Sequence, residues 1–231
     1  MRTVNQPQPE PLWLFDLDNT LHNASAAIFP LIDRLMQESI EQLLQVDANT
    51  ADYLRQRYWQ QYGATLIGLV KHHGVCAEDF LRRSHDFAIS EHLQSEPYLA
   101  QHLTQLSGRK VILTNAPANY AFRVLQALDI THQFERVFSI EDMQRQQRFR
   151  PKPSRALMQQ VVTELQHAPE HTIFVDDTLR NLKAAYALGM KTVHFAHPAT
   201  PFSSRYAGRS AYVDLRVQSI KELSARYHLL Y

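Results

Sequence analysis

The chain has 231 residues, 45% of them hydrophobic, which is enough for one large domain or for a core with a smaller insert. A formal net charge of +1 supplies no bulk attraction to nucleic acid or to an anionic membrane, and no apolar run approaches the roughly 18 residues of a membrane span. The single cysteine, Cys76, excludes an intramolecular disulfide and has no activating neighbour in sequence, so a cytoplasmic location is the default expectation.

In chain order, residues 1–10 are polar, carry Pro7 and Pro9, and lack the apolar core of a signal peptide, so a disordered arm is expected. Leu12–Phe15 reads as a buried strand, because parallel strands covered on both faces show continuous apolar runs. It ends in Asp16-Leu17-Asp18-Asn19-Thr20. Phe29–Leu44, Ala51–Tyr62, Thr65–His73 and Ala77–Ile89 then read as amphipathic helices, with no convincing strand among them. A second strand, Lys110–Leu113, ends in Thr114-Asn115. Further strands are expected at Arg136–Ile140, Thr172–Val175 and Lys191–Phe195, with a weaker one at Ala211–Asp214. Helices at Asn119–Leu128, Ser154–Leu165 and Leu179–Leu188 lie between them, the last closed by Gly189. Helices alternating with strands predict a doubly wound parallel α/β sheet of Rossmann-like type.

The chemistry concentrates at strand ends, where open α/β sheets place their ligands. Asp16 and Asp18 follow the first strand, and Asp176-Asp177 follow Thr172–Val175. Two like charges about 4 Å apart repel by about 4 kcal/mol at an effective dielectric of about 20. Four such carboxylates with Lys152, which stands between Pro151 and Pro153, sum to a net charge of about −3 if they share a site. That balance calls for a divalent cation, and oxygen ligands alone favour Mg²⁺.

These four segments resemble, in order, the four motifs of the haloacid dehalogenase-like (HAD) hydrolase superfamily. Asp16-Leu17-Asp18-Asn19-Thr20 is similar to the DxDxT motif, Thr114 to the hydroxyl residue of the second, Lys152 to the lysine of the third, and Asp176-Asp177 to the acidic fourth. The resemblance implies a core of residues 11–21 and 96–231, with residues 22–95 as a helical cap of the C1 type. Only 11 residues separate Ile140 from Lys152, too few for a cap at the later position.

The resemblance further implies that Asp16 is the nucleophile and Asp18 the general acid–base. Thr114, the Asn115 N–H and Lys152 bind the phosphoryl group. Asp16, the backbone carbonyl of Asp18, and Asp177 hold the metal, with Asp176 acting through water. The run from Tyr58 to His73, rich in aromatics, glycine and histidine, resembles the pyrimidine 5′-nucleotidase branch. A nucleoside monophosphate is then the expected substrate, and Tyr58, Tyr62, Thr65 and His72 are the expected contacts to it, by stacking or at the base edge. His22 departs from the aromatic residue common at its position, which leaves base preference open. Adjacent histidines point about 100° apart on a helix, so His72 and His73 are not expected to chelate one ion. Arg145, Arg148 and Arg150 beside Lys152 read as a solvated loop or as an attraction for a phosphorylated substrate. A phosphatase of phosphosugars, a phosphomutase and a non-catalytic binding module remain alternatives; dehalogenation is disfavoured because Asp18 is present.

Overall fold

A computed structural model describes residues 10–145, 148–198, 200 and 210–231. Its elements are β1 (Leu12–Phe15), α1 (Ala24–Leu44), α2 (Ala48–Tyr62), α3 (Thr65–His73), α4 (Ala77–His85), α5 (Leu99–Thr104), β2 (Arg109–Leu113), α6 (Ala118–Ala127), β3 (Arg136–Phe138), a short hairpin of β4 (Gln144–Arg145) and β5 (Arg148–Phe149), α7 (Arg155–Glu164), β6 (Thr172–Asp176), α8 (Leu179–Tyr186), β7 (Lys191–Phe195), β8 (Leu215–Val217) and α9 (Ile220–Arg226). Apart from Glu10, the expected N-terminal arm lies outside the described residues.

Six strands form one sheet in the order β3-β2-β1-β6-β7-β8, every neighbouring pair parallel. Alternation along β1 explains the layering. Trp13 and Phe15 enter one buried cluster with α5, α6 and α9, while Leu12 and Leu14 enter the other with α7 and α8. A strand that buries both faces needs apolar residues throughout, which is why β1 reads as an unbroken apolar run. The strand order reverses direction at β1, with β2 on one side and β6 on the other. That topological switch opens a crevice at the carboxyl ends of the strands.

Helices α1–α4 are inserted between β1 and β2. The entry into α1 is built by Asn19, which takes a positive φ of 59° and accepts a hydrogen bond from the Ser25 amide (3.0 Å), one of the N-terminal amides a helix leaves unpaired. With that support α1 starts at Ala24 rather than Phe29 and continues through Pro30. Asp47 caps α2 by accepting from the amides of Asn49 and Thr50, so that helix also starts earlier than its apolar pattern, at Ala48. Helix α4 stops at His85, short of the expected Ile89, which belongs to a separate short 3₁₀ turn.

Two strands shift as well. β3 ends at Phe138 because Ser139 turns the chain, its amide and hydroxyl both donating to Asp142 Oδ2 (2.9 and 3.0 Å). The last strand is Leu215–Val217, not Ala211–Asp214, because Asp214 is committed to the start of β7: its carboxylate accepts from the Thr192 amide at 2.8 Å. Among the described residues no helix is long and apolar enough to cross a membrane.

Helices α2 and α3 meet at Gly68, where a Cβ would lie 2.0–2.5 Å from Cγ, Cδ1 and Cβ of Tyr58. The neighbour is the root of a buried ring, not a flexible tip, so it has nowhere to go. Gly68→Ala is expected to lower stability by about 1–3 kcal/mol through overpacking, despite alanine's higher helix propensity. An unchanged urea midpoint would contradict this close approach.

Candidate active site

Asp16 leaves β1 with its amide still bonded to Val175 O (2.9 Å), so the backbone ladder between β1 and β6 fixes its position. Because Phe15 pairs with Val175, the residues that follow, Asp16 and Asp176, emerge side by side at the same edge. Lys152 bridges them, its Nζ 2.7 Å from Asp16 Oδ1 and 2.8 Å from Asp176 Oδ2. The three side chains are buried. Asn115 holds the lysine in place: its Oδ1 accepts from the Lys152 amide (2.9 Å) and its Nδ2 donates to the Lys152 carbonyl (3.2 Å). The structure thus gives the Asn115 side chain a positioning contact that the sequence does not announce. Thr114 is anchored by its amide to Phe138 O, and its Oγ1 accepts from the Ala116 amide (3.0 Å), which leaves the hydroxyl hydrogen to donate.

The carboxylates differ in how far they are satisfied. Both oxygens of Asp176 accept from Asn181 Nδ2 (3.0 Å each); Oδ2 also takes Lys152, and Oδ1 takes the Thr178 amide (2.8 Å). Asp177, by contrast, accepts at Oδ1 from the Thr178 hydroxyl (3.0 Å) and keeps more of its coordination capacity. One ligand oxygen from each of Asp16, Asp176 and Asp177 falls within 4.8 Å of the others. Burial pushes the Asp16 carboxyl well above the usual carboxylate range; Lys152 opposes this, and the charges of Asp176 and Asp177 add to it. Burial likewise raises Asp177, to about 7, with the Asp176 charge adding to it. Burial disfavours the charged form of Lys152 too, but Asp16 and Asp176 more than reverse that and hold its pKa above its ordinary value. One lysine therefore does not neutralise the cluster. All the donors are hard oxygens, the set a Mg²⁺ ion takes, so the residues present fit that ion.

Asp18 sits apart from this cluster. Its Oδ1 accepts from Tyr120 OH (2.6 Å) and is 3.0 Å from His22 Nε2. Burial alone would raise its carboxyl, but hydrogen bonds from His22 and Tyr120 outweigh it and hold the group below its ordinary value. Tyr120 has no signal in the sequence beyond an apolar position in α6.

Above these residues lies a cleft of about 880 Å³, walled on one side by the insert. Thr65 lines it, although its hydroxyl is spent on Arg55 O (3.0 Å). Tyr58, Tyr62 and His72, expected as substrate contacts, are not part of its wall. Tyr58 is buried between α2 and α3, stacked on His72 (5.5 Å, 16°) and bonded through its hydroxyl to His73 Nε2 (2.7 Å). Tyr62 OH lies 2.7 Å from His72 Nε2. These rings hold α2 against α3, and each histidine is occupied by a tyrosine. The insert instead presents Phe29, Asp33, Met36, Arg55 and Trp59 to the cleft. Arg55 is shared between Asp33 (2.6 Å) and Asp52 (2.8 Å), and the Trp59 side chain is 61% exposed. Of the expected basic cluster, the side chains of Arg145 and Arg148 lie outside the described residues.

Residues 12–189 match the sequence model of the haloacid dehalogenase-like hydrolases. The chain is 25% identical over 204 residues to "Phosphate metabolism protein 8" of Saccharomyces cerevisiae, an alignment covering 80% of this chain and 62% of the yeast protein, so the chain spans less than two thirds of that relative's length. It is 27% identical over 202 residues to a phosphoglycolate phosphatase of Shigella boydii, covering 78% of each. Its fold is similar to that of a HAD phosphatase from Thermococcus onnurineus, with a TM-score of 0.62 at 18% identity over 93% of this chain and 96% of that one.

Ionising Asp177 in chelator charges a buried group whose folded pKa lies above its unfolded value near 3.8. The folded protein therefore binds more protons than the unfolded one between about 4 and about 7, and this residue destabilises the fold increasingly as pH rises through that window. Asp177→Asn removes this contribution. In EDTA the variant is expected to gain Tm relative to the parent from pH 4.5 to pH 7.5. A Tm difference that stays flat across this range would show that Asp177 does not titrate there.

Proposed function

Because the chain belongs to the haloacid dehalogenase-like hydrolase family, we propose that it is a Mg²⁺-dependent phosphomonoesterase working through an aspartyl-phosphate, with residues 22–95 serving as its cap and nucleoside 5′-monophosphates, pyrimidine ones preferred, as its substrates. The observation that carries the reaction type is the Asp16 carboxylate, fixed at the floor of the cleft by Lys152 with a second, separately held carboxylate two residues on.

Lys152 occupies Asp16 Oδ1, so Oδ2 is the oxygen that attacks phosphorus as the ester P–O bond breaks. Asp18 protonates the departing oxygen. It then takes a proton from the water that attacks the aspartyl-phosphate, returning Asp16 as a carboxylate and releasing inorganic phosphate. Thr114 donates its hydroxyl hydrogen and Asn115 its amide to phosphoryl oxygens, while Lys152 faces the charge that grows on them. Asp16, Asp177 and the Asp18 carbonyl, with Asp176 behind them, would hold Mg²⁺, which supplies further neutralisation of phosphoryl charge when bound.

The nucleoside reading rests on the cleft. Its volume suits a ligand much larger than a two-carbon acid, and Trp59 offers an exposed ring face for a base. On the insert side, Arg55 in the wall is already ion-paired to Asp33 and Asp52, so it offers little to a second anionic group on the leaving alcohol. The alternative, a small phosphometabolite, draws on the likeness to phosphoglycolate phosphatase.

Phosphate release from a panel of nucleotides, sugar phosphates and phosphoglycolate with Mg²⁺ tests both readings. Activity should vanish in EDTA and return with Mg²⁺, and Asp16→Asn should abolish turnover in a folded protein. Full turnover in chelator, or near-normal kcat in the variant, would exclude the proposed chemistry.

Trp59→Ala should lower kcat/KM for the best nucleotide about tenfold or more, the equivalent of one lost base stack, while sparing p-nitrophenyl phosphate. Equal losses on both esters would remove Trp59 as the base-reading residue. A panel in which phosphoglycolate leads would favour the small-metabolite alternative.

A further inference from the structure

Asp18 is not left to sample rotamers. Two donors, from different parts of the chain, converge on one of its oxygens: Tyr120 OH at 2.6 Å and His22 Nε2 at 3.0 Å, both to Oδ1. For His22 to donate there, its ring must carry the hydrogen on Nε2, which leaves Nδ1 as an acceptor. Nδ1 is buried without a hydrogen-bond partner. A histidine used only for packing has no reason to leave a ring nitrogen stranded in this way, since an apolar side chain would fill the same space without the penalty. The stranded nitrogen accompanies a useful donor on the other side of the ring.

Tyr120 is also fixed from both sides of the cleft. It stands in the first turn of α6, five residues after Asn115, and its ring is fully buried. From the insert, His85 packs edge-on against it at 5.3 Å and Phe87 lies 6.3 Å away. Arg123, on α6 itself, holds that segment by donating to the carbonyls of His85 (3.0 Å) and Phe87. The hydroxyl that meets Asp18 is thus aimed by α6 and the end of α4 together.

We propose that Tyr120 and His22 are positioning residues for the acid–base carboxylate: by donating together to Asp18 Oδ1 they fix the side chain and leave Oδ2 as the oxygen that faces the leaving group. The proposal rests on the reading of Asp18 as the general acid–base. In the first half of the reaction the Oδ2 proton passes to the ester oxygen, which keeps the electron pair of the breaking P–O bond. In the second half Oδ2 receives a proton from water while the water oxygen bonds to phosphorus and the Asp16–phosphorus bond breaks. In both halves the two donors keep Oδ1 out of the exchange.

A pair of aryl esters separates this role from a packing role. p-Nitrophenolate leaves without a proton, whereas phenolate is a far poorer leaving group and depends on the acid. Tyr120→Phe removes one hydroxyl from a buried ring and nothing else, so it tests the idea even if a variant of His22 fails to fold. The expected result is a fall of about tenfold in kcat/KM for phenyl phosphate, a fraction of the roughly 10²–10⁴-fold worth of a general acid, with kcat/KM for p-nitrophenyl phosphate within about twofold of the parent. His22→Leu should shift the ratio of the two esters in the same direction, and Asp18→Asn should show the same selectivity at larger amplitude. If Asp18→Asn is selective while Tyr120→Phe and His22→Leu lower both esters equally, or neither, the two residues only pack and the positioning role is overturned. If Asp18→Asn itself shows no selectivity, the acid–base reading fails and the proposal falls with it.

Discussion

The ion-paired group of Asp16, Lys152 and Asp176 is the constraint on which the rest of this structure depends. Parallel pairing of β1 with β6 places two carboxylates side by side in a buried edge, a placement that is untenable without a cation between them. Lys152 meets both at hydrogen-bonding distance, and removing one partner from such a buried pair costs about 3–5 kcal/mol. The surrounding polar side chains serve this arrangement. Asn115 clips the lysine backbone, Asn181 and the Thr178 amide saturate Asp176, and the remaining negative charge falls on Asp177, which burial has already raised. A site built this way is short of positive charge, which suits a divalent cation.

The sheet makes that arrangement possible. Because the chain leaves β1 in one direction toward β2 and β3, and later joins β6 on the other side, the carboxyl end of β1 lies at the switch point and has open space above it. The helical insert begins right after the first acidic loop, where Asn19 at positive φ ties the loop to the first turn of α1. The first acidic loop and the entry to the insert are therefore one continuous piece of structure. The end of the insert returns to the same place, since His85 and Phe87 pack on the tyrosine that meets Asp18.

The far side of the cleft follows a different logic. Tyr58, Tyr62, His72 and His73 are consumed in holding α2 and α3 together, around a glycine that lets them touch. What remains to meet a ligand is the adjoining face of α2, with Arg55 and Trp59, and the facing side of α1, with Phe29, Asp33 and Met36. Aromatic residues one position apart on α2, Tyr58 and Trp59, thus do opposite jobs, one packing inward and the other standing in solvent.

By itself, the sequence did not show α5, α9, the β4–β5 hairpin or the place of the last strand, but it determined the alternation of the central strands and helices, the clustering of acidic segments at strand ends, and the location of a helical insert. Each of these follows from local pattern: an apolar run of strand length, a carboxylate at its end, and a helical period between. Thr114 and Lys152 were legible through their resemblance to family motifs read in order with the two acidic segments, since a threonine after a strand or a lysine between prolines says little alone. Tertiary structure decided what depends on contacts between distant segments. It set the pairing of Asp16 with Asp176 through Lys152, the clip from Asn115, and the meeting of Tyr120 with Asp18 across about 100 residues of chain. It also decided which face of α2 looks into the cleft. Helical periodicity shows that Tyr58 and Trp59 point about 100° apart, but not which of them is covered. That choice belongs to the packing of α3 against α2, where Gly68 admits the Tyr58 ring and leaves Trp59 exposed.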